Sequence, residues 1–337
     1  MDIKENISLK AYNTFGIDVC TSKYVEVENE EDLQHLLSSN ILNDYPFVIL
    51  GGGSNIVFVD NFDGIVVHPT NKGIRIISET DTKAVIEAGA GEIWSELAWN
   101  MTKQGYYGLE NLVEIPGCVG AAPIQNVGAY GVEAKDTIKY VVAYEIATGK
   151  KRVFSNSECM FGYRNSIFKN ELKNQYIVIS VAFSLSKTIT TTINYGALSN
   201  KLSEQNITEP TPLQIAECIA EIRSTKLPNP KEIGSVGSFF KNPIITHSHL
   251  EILKESYPNI VFYPADEHFK LAAGWLIEQC GWKGRSLGQV GVYDKQALVL
   301  FNKGGCNGHE VINIANAIEA DVESKFGVKL EREAIII

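Results

Sequence analysis

A glycine-rich segment between two runs of β-branched residues most restricts how this chain can fold. The segment reads VILGGGSNIVFVD over residues 48–60 and carries three consecutive glycines, 51–53. A dinucleotide-binding fingerprint of the Rossmann kind needs such a glycine turn to open a helix. Residues 56–59 instead predict a second strand, so a Rossmann domain is excluded at this point of the chain.

A turn of this strand–glycine–strand kind can still bind phosphate. Glycine permits a left-handed backbone, so successive N–H groups can point into one concavity and form an anion-binding nest. An ordinary glycine hairpin is the alternative interpretation. The residues that would form the nest are Gly51, Gly52, Gly53, Ser54 and Asn55.

The chain as a whole has the composition of a globular enzyme. Its 337 residues are enough for about two domains, and 45% of them are hydrophobic. The net charge of −10 argues against a nucleic-acid partner. No apolar run approaches the length that spans a membrane, so no membrane partner is expected. The N-terminus lacks the apolar region of a secretory signal, and we therefore expect a cytoplasmic protein.

The cysteines and histidines give no sign of a metal site. The six cysteines are scattered without a CxxC pair, which indicates neither a zinc site nor a disulfide framework. His247 and His249 lack a carboxylate or cysteine partner at ligand spacing. We therefore expect no metal.

Hydrophobic periodicity predicts a mixed α+β chain. Strands are predicted at 24–28, 47–50, 56–59, 64–68, 73–78, 83–88, 138–146, 151–154, 176–185, 296–302 and 328–337. Helices are predicted at 29–39, 91–105, 212–226, 268–280 and 308–326. After Pro228 the sequence becomes a more compact α+β stretch, so we place a domain boundary there.

Two further segments stand out. Residues 112–133, LVEIPGCVGAAPIQNVGAYGVE, are rich in small residues and poor in charge, so a flat ligand could approach their backbone closely. A close-packed loop is the alternative, although long irregular loops in compact domains are usually functional. In SVGSFFKNP, Ser238 stands before two phenylalanines. It could close a turn or simply occupy a strand.

Seven segments occur in an order that resembles one enzyme family. They are LGGGSN, IPGCVGAAPIQNVGAYG, YRNSIF, NYGAL, KLPNP, GSFFKNP and the terminal LEREAIII. They resemble the UDP-N-acetylenolpyruvoylglucosamine reductases of bacterial peptidoglycan synthesis, and the resemblance runs from about Thr14 to Glu333. The tyrosine of NYGAL resembles the type I branch, which closes a tyrosine-bearing loop over its substrate.

The resemblance implies a fold and a reaction. The fold would be α+β, with an FAD-binding region of the vanillyl-alcohol-oxidase type over residues 1–227, in two subdomains that meet near residue 68. A smaller α+β substrate-binding domain would follow over 228–327, and a C-terminal strand, 328–337, would return to the first region. The implied activity is FAD-dependent and uses NADPH to reduce the enolpyruvyl ether of UDP-N-acetylglucosamine to UDP-N-acetylmuramate. We expect a monomer whose partner is this UDP-sugar.

The resemblance also implies the residues that bind the cofactor. The glycine segment 51–55 would hold the FAD pyrophosphate, and the second segment would line the flavin and its linker. The implied residues of the second segment are Pro116, Gly117, Gly120, Ala122, Ile124, Gln125, Asn126, Gly128, Ala129, Tyr130 and Gly131. We expect the FAD to be bound without a covalent bond, because the glycine segment has no histidine or cysteine to attach it.

Three residues match the catalytic positions of the family. Hydride transfer to the enolpyruvyl group builds an enolate, which needs positive charge or hydrogen-bond donors beside it. Arg164 fits that role with its rigid fork of N–H groups. Ser238 matches the acid that protonates the other carbon, and Glu333 matches a third, assisting position. Sequence alternation alone cannot separate Glu333 from Glu331, and the motif favours Glu333.

Four residues match the contacts to the UDP-sugar, whose remote binding energy can hold the reacting bond in place. They are Tyr195, Lys226, Asn242 and Gln296. Lys226 could also serve as a favourable cation at a helix C-terminus, and the two roles are compatible.

Two other functions remain open at this point. One is a different flavin oxidase of the same fold, with the flavin attached through His68 or Cys118. The other is a sugar-nucleotide-binding protein without catalysis, which the joint presence of Arg164, Ser238 and Glu333 argues against.

Overall fold

The structure is a computed structural model that describes residues 2–193, 195–230 and 232–337. The strands, in chain order, are β1 Ile3–Ser8, β2 Cys20–Val27, β3 Phe47–Ile49, β4 Ile56–Val57, β5 Phe62–Pro69, β6 Ile74–Glu79, β7 Lys83–Gly89, β8 Gly128–Ala129, β9 Val132–Glu133, β10 Ile138–Glu145, β11 Lys151–Ser155, β12 Tyr176–Ser186, β13 Ser235–Ser238, β14 Ile244–Ile245, β15 Phe262–Ala265, β16 His268–Leu271, β17 Ser286–Leu287, β18 Val290–Val292, β19 Val299–Asn302 and β20 Ile335–Ile336. The helices are α1 Glu30–Ser38, α2 Ile41–Asp44, α3 Trp94–Lys103, α4 Gly196–Glu204, α5 Pro212–Lys226, α6 His247–Ser256, α7 Ala273–Gln279 and α8 Gly308–Phe326.

The chain divides into two compact units. Unit 1 comprises Met1–Ile7, Thr21–Gly52 and Asp63–Ser224. Unit 2 comprises Ser8–Cys20, Gly53–Phe62 and Thr225–Ile337. The glycine segment is therefore shared, because Gly52 is the last residue of its stretch of unit 1 and Gly53 begins a stretch of unit 2.

An antiparallel sheet with the order β11-β10-β12-β7-β6 forms the centre of unit 1. Because successive side chains of a strand point to opposite faces, β10 contributes to two hydrophobic cores of this unit. Val141 lies in the core that contains Trp94 and Met101 of α3. Val142, the next residue, lies in the core that contains Leu33 of α1. The sheet is thus covered on both faces.

Helix α3 fixes the turn in front of the small-residue segment. Trp94, Leu97 and Met101 recur at helical spacing and are buried. The indole N–H of Trp94 donates to the carbonyl of Leu112 at 2.9 Å, and its ring packs edge-on against Phe183 at 5.8 Å. This contact holds the chain at the point where it enters residues 112–133.

Unit 2 contains two further antiparallel sheets, β13-β19-β18-β17 and β14-β16-β15. Helix α8 begins with a capping box, in which Asn307 and Glu310 each accept a hydrogen bond from the other's backbone N–H. The helix ends at Gly327, which adopts a left-handed conformation with φ of 65°. Strand β20 pairs in parallel with β4 within this unit.

Most of the predicted elements are present, and two are wrong in part. The predicted helices 212–226 and 308–326 coincide with α5 and α8. The predicted helix 268–280 begins instead as strand β16, because His268–Leu271 pairs with β15 as a hairpin. The predicted strand 328–337 is reduced to Ile335–Ile336, with an isolated bridge between Arg332 and Phe240 before it.

None of the helices in the described part of the chain combines the length and the hydrophobicity that crossing a bilayer requires.

Candidate functional site

The glycine segment runs from β3 to β4 without opening a helix, as predicted. In unit 1, a Cβ added to Gly52 would lie 3.0 Å from the Cα of Gly117. The glycine segment and the small-residue segment therefore approach backbone to backbone. In unit 2, Gly53 has φ of +61°, and a Cβ there would lie 2.0 Å from the carbonyl oxygen of Tyr12. Only glycine fits that position.

The small-residue segment shows a second close approach. A Cβ on Gly120 would lie 2.6 Å from the Cβ of Ala90, and the N–H of Gly120 donates to the Ala90 carbonyl at 2.9 Å. Both segments consist largely of glycine and small side chains, and Gly52, Gly117 and Gly120 are at least partly accessible to solvent. This is the surface that a cofactor with phosphates and a flat ring requires, so the residues present fit FAD.

The far end of the small-residue segment is a hairpin. Strands β8 and β9 pair around Tyr130 and Gly131, whose φ values of 48° and 83° are both positive. Positive φ at both central residues characterises the tight turns that match strand twist. The Tyr130 ring packs edge-on against Tyr195 at 5.3 Å, so two residues predicted for different ligands meet here.

A half-buried arginine that the sequence did not single out lies beside this hairpin. Arg223 of α5 donates through Nε to the Glu114 carbonyl at 3.1 Å and interacts electrostatically with Tyr130. Burial lowers the pKa of the Arg223 guanidinium, while the neighbouring Tyr130 and Glu114 oppose that shift. In sequence, Arg223 resembled an ordinary exposed helix residue, so no local signal distinguished it.

Arg164 lies in unit 1 on a tight turn. Its φ of 53° is unusual for a residue with a long side chain. Its guanidinium Nη2 donates to the carbonyl of Gly128 at 2.7 Å, and its Cζ lies 5.4 Å from the centroid of the Tyr163 ring. The structure therefore brings Arg164 to the hairpin of the small-residue segment.

Asn126, predicted to contact the cofactor, uses its whole side chain within the protein. It is fully buried. Its amide Nδ2 donates to Glu133 Oε2 at 2.9 Å and to the Gly162 carbonyl at 3.0 Å. Its Oδ1 accepts from the N–H of Lys135 at 3.0 Å. Asn126 therefore shapes the segment, and its side-chain amide is not available to a ligand.

Ser238 ends strand β13 in unit 2 and is exposed. Gly237 before it has φ of +70°. Phe239 and Phe240 after it are buried, with their rings packed edge-on at 5.1 Å. The two rings anchor the end of β13 in the interior of unit 2, and Ser238 lies at its surface.

Glu333 lies on the chain segment that faces Ser238. Its N–H donates to the carbonyl of Phe239 at 2.8 Å, and the N–H of Lys241 donates to the carbonyl of Glu331 at 2.8 Å. The Asn55 side chain donates to the Glu333 carbonyl at 3.1 Å. Glu331 is exposed and forms an ion pair with Lys241, so the two glutamates have different surroundings.

Two of the predicted substrate residues meet at the start of α7. Asn242 Oδ1 accepts from the N–H of Ala273 at 2.9 Å. A Cβ added to Gly274 would lie 2.9 Å from Gln296 Oε1. Lys226 is exposed at the end of α5 in the same unit. Asn194 of the NYGAL segment lies outside the described residues.

The two residues considered for covalent flavin attachment are occupied or unreactive. His68 Nδ1 lies 2.6 Å from the hydroxyl of Tyr24, and burial lowers the pKa of His68. Burial raises the pKa of the Cys118 thiol, which therefore stays protonated. Neither side chain is activated for attack on a flavin.

Within residues 2–193, 195–230 and 232–337, no group of three histidine, cysteine, aspartate or glutamate side chains is arranged to hold a metal ion.

Comparison with known proteins gives a consistent assignment. The family model described as an FAD binding domain matches residues 21–155. The model described as the UDP-N-acetylenolpyruvoylglucosamine reductase C-terminal domain matches residues 229–337. The two matches confirm an FAD-binding region followed by a smaller second domain.

Full-length relatives and a solved structure agree with these models. The UDP-N-acetylenolpyruvoylglucosamine reductase of Pseudomonas putida is 44% identical over 331 residues, which cover 98% of this chain and 97% of the relative. That of Flavobacterium johnsoniae is 43% identical over the full length of both chains. The crystal structure of the Thermus caldophilus enzyme superposes with a TM-score of 0.69 over 99% of both chains at 22% identity, which confirms the fold. The chain belongs to the UDP-N-acetylenolpyruvoylglucosamine reductase family.

Proposed function

We propose that this protein reduces enolpyruvyl-UDP-N-acetylglucosamine to UDP-N-acetylmuramate, with NADPH as the reductant. The observation that carries the proposal is identity of 43% to 44% over nearly the whole chain to relatives named as this reductase. The residues predicted for catalysis, Arg164, Ser238 and Glu333, are all present in the sequence. The product is a precursor of peptidoglycan.

The glycine segment and the small-residue segment are proposed to hold FAD. When bound, FAD supplies the hydride that reduces the carbon–carbon double bond of the substrate. Gly51 to Asn55 would meet the pyrophosphate with backbone N–H groups, and Pro116 to Gly131 would line the flat ring and its linker. His68 and Cys118 offer no activated nucleophile, so we propose that the bond to FAD is non-covalent.

Arg164 is proposed to stabilise the substrate as charge develops on it. Reduction of the enolpyruvyl double bond places negative charge on the enolate and its carboxylate. A guanidinium is planar, permanently charged and suited to bidentate contact with a carboxylate. The left-handed turn at Arg164 fits the tendency of strained backbone to occur at functional positions.

Ser238 is proposed to donate the proton that completes the reduction. A serine hydroxyl carries its proton at neutral pH, and an enolate carbon is basic enough to accept it when the geometry is right. Its exposure in unit 2 leaves the hydroxyl accessible to a substrate. Glu333, on the facing segment, is proposed to assist this proton transfer, whereas Glu331 is committed to Lys241.

Tyr195, Lys226, Asn242 and Gln296 are proposed to bind the diphosphate region of the substrate. These contacts do no chemistry themselves, but their binding energy orients the reacting group. A tyrosine at position 195 would make this a type I enzyme. A monomer in the cytoplasm, with residues 1–227 and 228–327 as its two functional regions and 328–337 returning to the first, remains our prediction.

Stopped-flow absorbance of the flavin tests the proposal. NADPH should bleach the oxidised flavin, and enolpyruvyl-UDP-N-acetylglucosamine should restore it rapidly under anaerobic conditions. Plain UDP-N-acetylglucosamine, which lacks the double bond, is the control and should leave the flavin reduced. Reoxidation by oxygen alone would instead identify a flavin oxidase. A protein that binds the sugar nucleotide without any reoxidation would be a binding protein.

A further inference from the structure

The turn that carries Arg164 is held in an uncommon conformation. The backbone groups of Gly162 and Asn165 exchange two hydrogen bonds, of 3.0 and 3.1 Å, around Tyr163 and Arg164. Arg164 has a positive φ, which a residue with a Cβ adopts only when the surroundings impose it. The turn therefore needs anchors outside itself.

Two fully buried polar side chains provide those anchors. The Nδ2 of Asn126 donates to the carbonyl of Gly162, at one end of the turn, at 3.0 Å. The hydroxyl of Ser166, just after the other end, donates to the carbonyl of Ile124 at 2.6 Å. Both Asn126 and Ser166 have no exposed surface. A buried polar group is costly to leave unpaired, so these bonds are strongly favoured.

The same short segment also receives the arginine head group. Arg164 donates to the carbonyl of Gly128, two residues after Asn126. Residues 124–128 thus make three contacts with this region. They bond the Gly162 carbonyl at the start of the turn, the Ser166 hydroxyl just after its end, and the Arg164 guanidinium. Asn126 is itself fixed from the other side by Glu133 and by the N–H of Lys135. Its amide therefore has little freedom to follow the turn if the turn shifts.

We propose that Asn126 is a positioning residue for Arg164, with Ser166 as the second anchor of the same turn. This role rests on the proposed function of Arg164. Asn126 acts by holding the Gly162–Asn165 turn in the conformation in which Arg164 has a positive φ. This conformation sets the direction in which the Arg164 guanidinium points. It does not touch the substrate through its side chain, whose donors and acceptor are all used within the protein.

The kinetic consequence falls on one half of the reaction. Asn126→Ala should slow flavin reoxidation by the enolpyruvyl substrate about 10- to 100-fold, because small misplacement of a catalytic group is expensive. Reduction of the flavin by NADPH should stay within about 2-fold of the wild type, since Arg164 is assigned to the second step. Ser166→Ala should show the same pattern to a smaller degree.

A double-mutant cycle separates positioning from general damage. If Asn126 acts through Arg164, then Asn126→Ala should add nothing to the defect of Arg164→Ala, and the double variant should match that single variant. A purely structural loss would instead multiply the two defects, and this result would overturn the proposal.

Asn156→Ala is the matched control, because Asn156 also donates to two carbonyls, those of Lys135 and Ile138, without contacting the turn. It should leave both half-reactions unchanged.

Amide hydrogen exchange gives a readout that does not depend on the reaction. The N–H groups of Gly162 and Asn165 should exchange faster in Asn126→Ala than in wild type or Asn156→Ala, because the turn opens more often. Unchanged exchange there would refute the anchoring role even if activity fell.

If wild-type enzyme failed to be reoxidised by the enolpyruvyl substrate, the proposed function would be refuted, and the exchange result would still decide the anchoring. If Asn126→Ala did not fold, the Ser166→Ala exchange and cycle data would decide in its place.

Discussion

The polar side chains of this protein differ in how many of their hydrogen-bonding groups are satisfied within the protein and in how exposed they are. Asn126 is wholly engaged within unit 1, whereas Ser238 ends a strand at the surface of unit 2. The first is suited to hold a loop, and the second is accessible for chemistry. The residue-scale predictions follow from that contrast.

Ser238→Ala should impair only the protonation step. Loss of a general acid costs about 10²- to 10⁴-fold, so substrate-dependent flavin reoxidation should slow by that factor while reduction by NADPH stays normal. Stopped-flow measurement of each half-reaction checks this. Equal slowing of both would mean that Ser238 is structural, and Ser235→Ala, at the other end of β13, controls for strand damage.

Glu333 and Glu331 form a matched pair for a second test. Both lie on the segment that faces residues 239–241, but Glu331 is paired with Lys241 on the surface. Glu333→Gln should slow reoxidation by substrate in a single turnover, whereas Glu331→Gln should be nearly silent. A large defect in Glu331→Gln with a normal Glu333→Gln would show that the assignment is displaced by two residues.

Glu110 should make stability depend on pH. It is buried, and burial raises the pKa of its carboxyl even though backbone N–H groups, including that of Gly108 at 2.6 Å, oppose the shift. A carboxyl with a raised pKa in the folded state binds its proton more tightly there. Its contribution to stability is therefore present at low pH and is lost as the pH rises through the folded-state pKa.

Glu110→Gln, which cannot ionise, isolates this effect. The free energy of unfolding of the variant, relative to wild type, should rise with pH from about 4.3, the ordinary pKa of a glutamate carboxyl, until the raised folded-state pKa has been passed. Urea unfolding at a series of pH values measures it. A constant difference between the two proteins across that range would contradict the assignment.

At the scale of elements, local signals define some boundaries sharply. Helix α8 starts at the Asn307–Glu310 capping box and stops at the left-handed Gly327. Helix α5 is followed by Pro228, which a helix cannot readily continue through. Both helices have the bounds that were predicted. Strands β16 and β20 were mispredicted because their extent depends on which partner strand they meet.

Asn307→Ala should destabilise unit 2 through the start of α8. Loss of an asparagine cap typically costs about 1 kcal/mol, and here the change also removes one half of the box. The free energy of unfolding from urea titration should fall by that amount. Asn307→Ser keeps an oxygen that accepts the Glu310 N–H and should be nearly neutral. Equal loss in both variants would point to a role other than capping.

At the scale of the whole molecule, the bound cofactor should contribute to stability. A ligand that binds only the folded state stabilises it by mass action, by about 2.7 kcal/mol at 100 times its Kd. We therefore expect the deflavinated protein to melt at a lower temperature and FAD to restore the melting temperature. Riboflavin lacks the pyrophosphate that the glycine segment is proposed to bind, so it should restore much less.

Acid denaturation of the holoprotein tests the mode of attachment. All of the flavin should appear in the supernatant, because His68 is bonded to Tyr24 and the Cys118 thiol is kept protonated. Yellow colour retained in the washed precipitate would show a covalent bond and would contradict this prediction. A preparation that neither contains nor binds FAD would contradict the proposed function itself.

The sequence by itself determined the α+β class, the strand–glycine–strand turn, the bounds of α5 and α8, and the family. These features depend on local backbone preferences and on motifs that are contiguous in the chain. The sequence shows that both segments are rich in small residues, but it does not show that Gly52 approaches Gly117. That contact can be seen only in the folded chain.

Only the tertiary structure decided what the polar side chains do. Asn126 was assigned to a cofactor by its motif, yet its amide is bonded to Glu133 and to the Gly162 carbonyl. Arg223 resembled a solvent-exposed helix residue and is half-buried beside Tyr130. The physical reason is that a side-chain hydrogen bond requires a partner within about 3 Å, and residues 36 positions apart in the chain, such as Asn126 and Gly162, come that close only after folding.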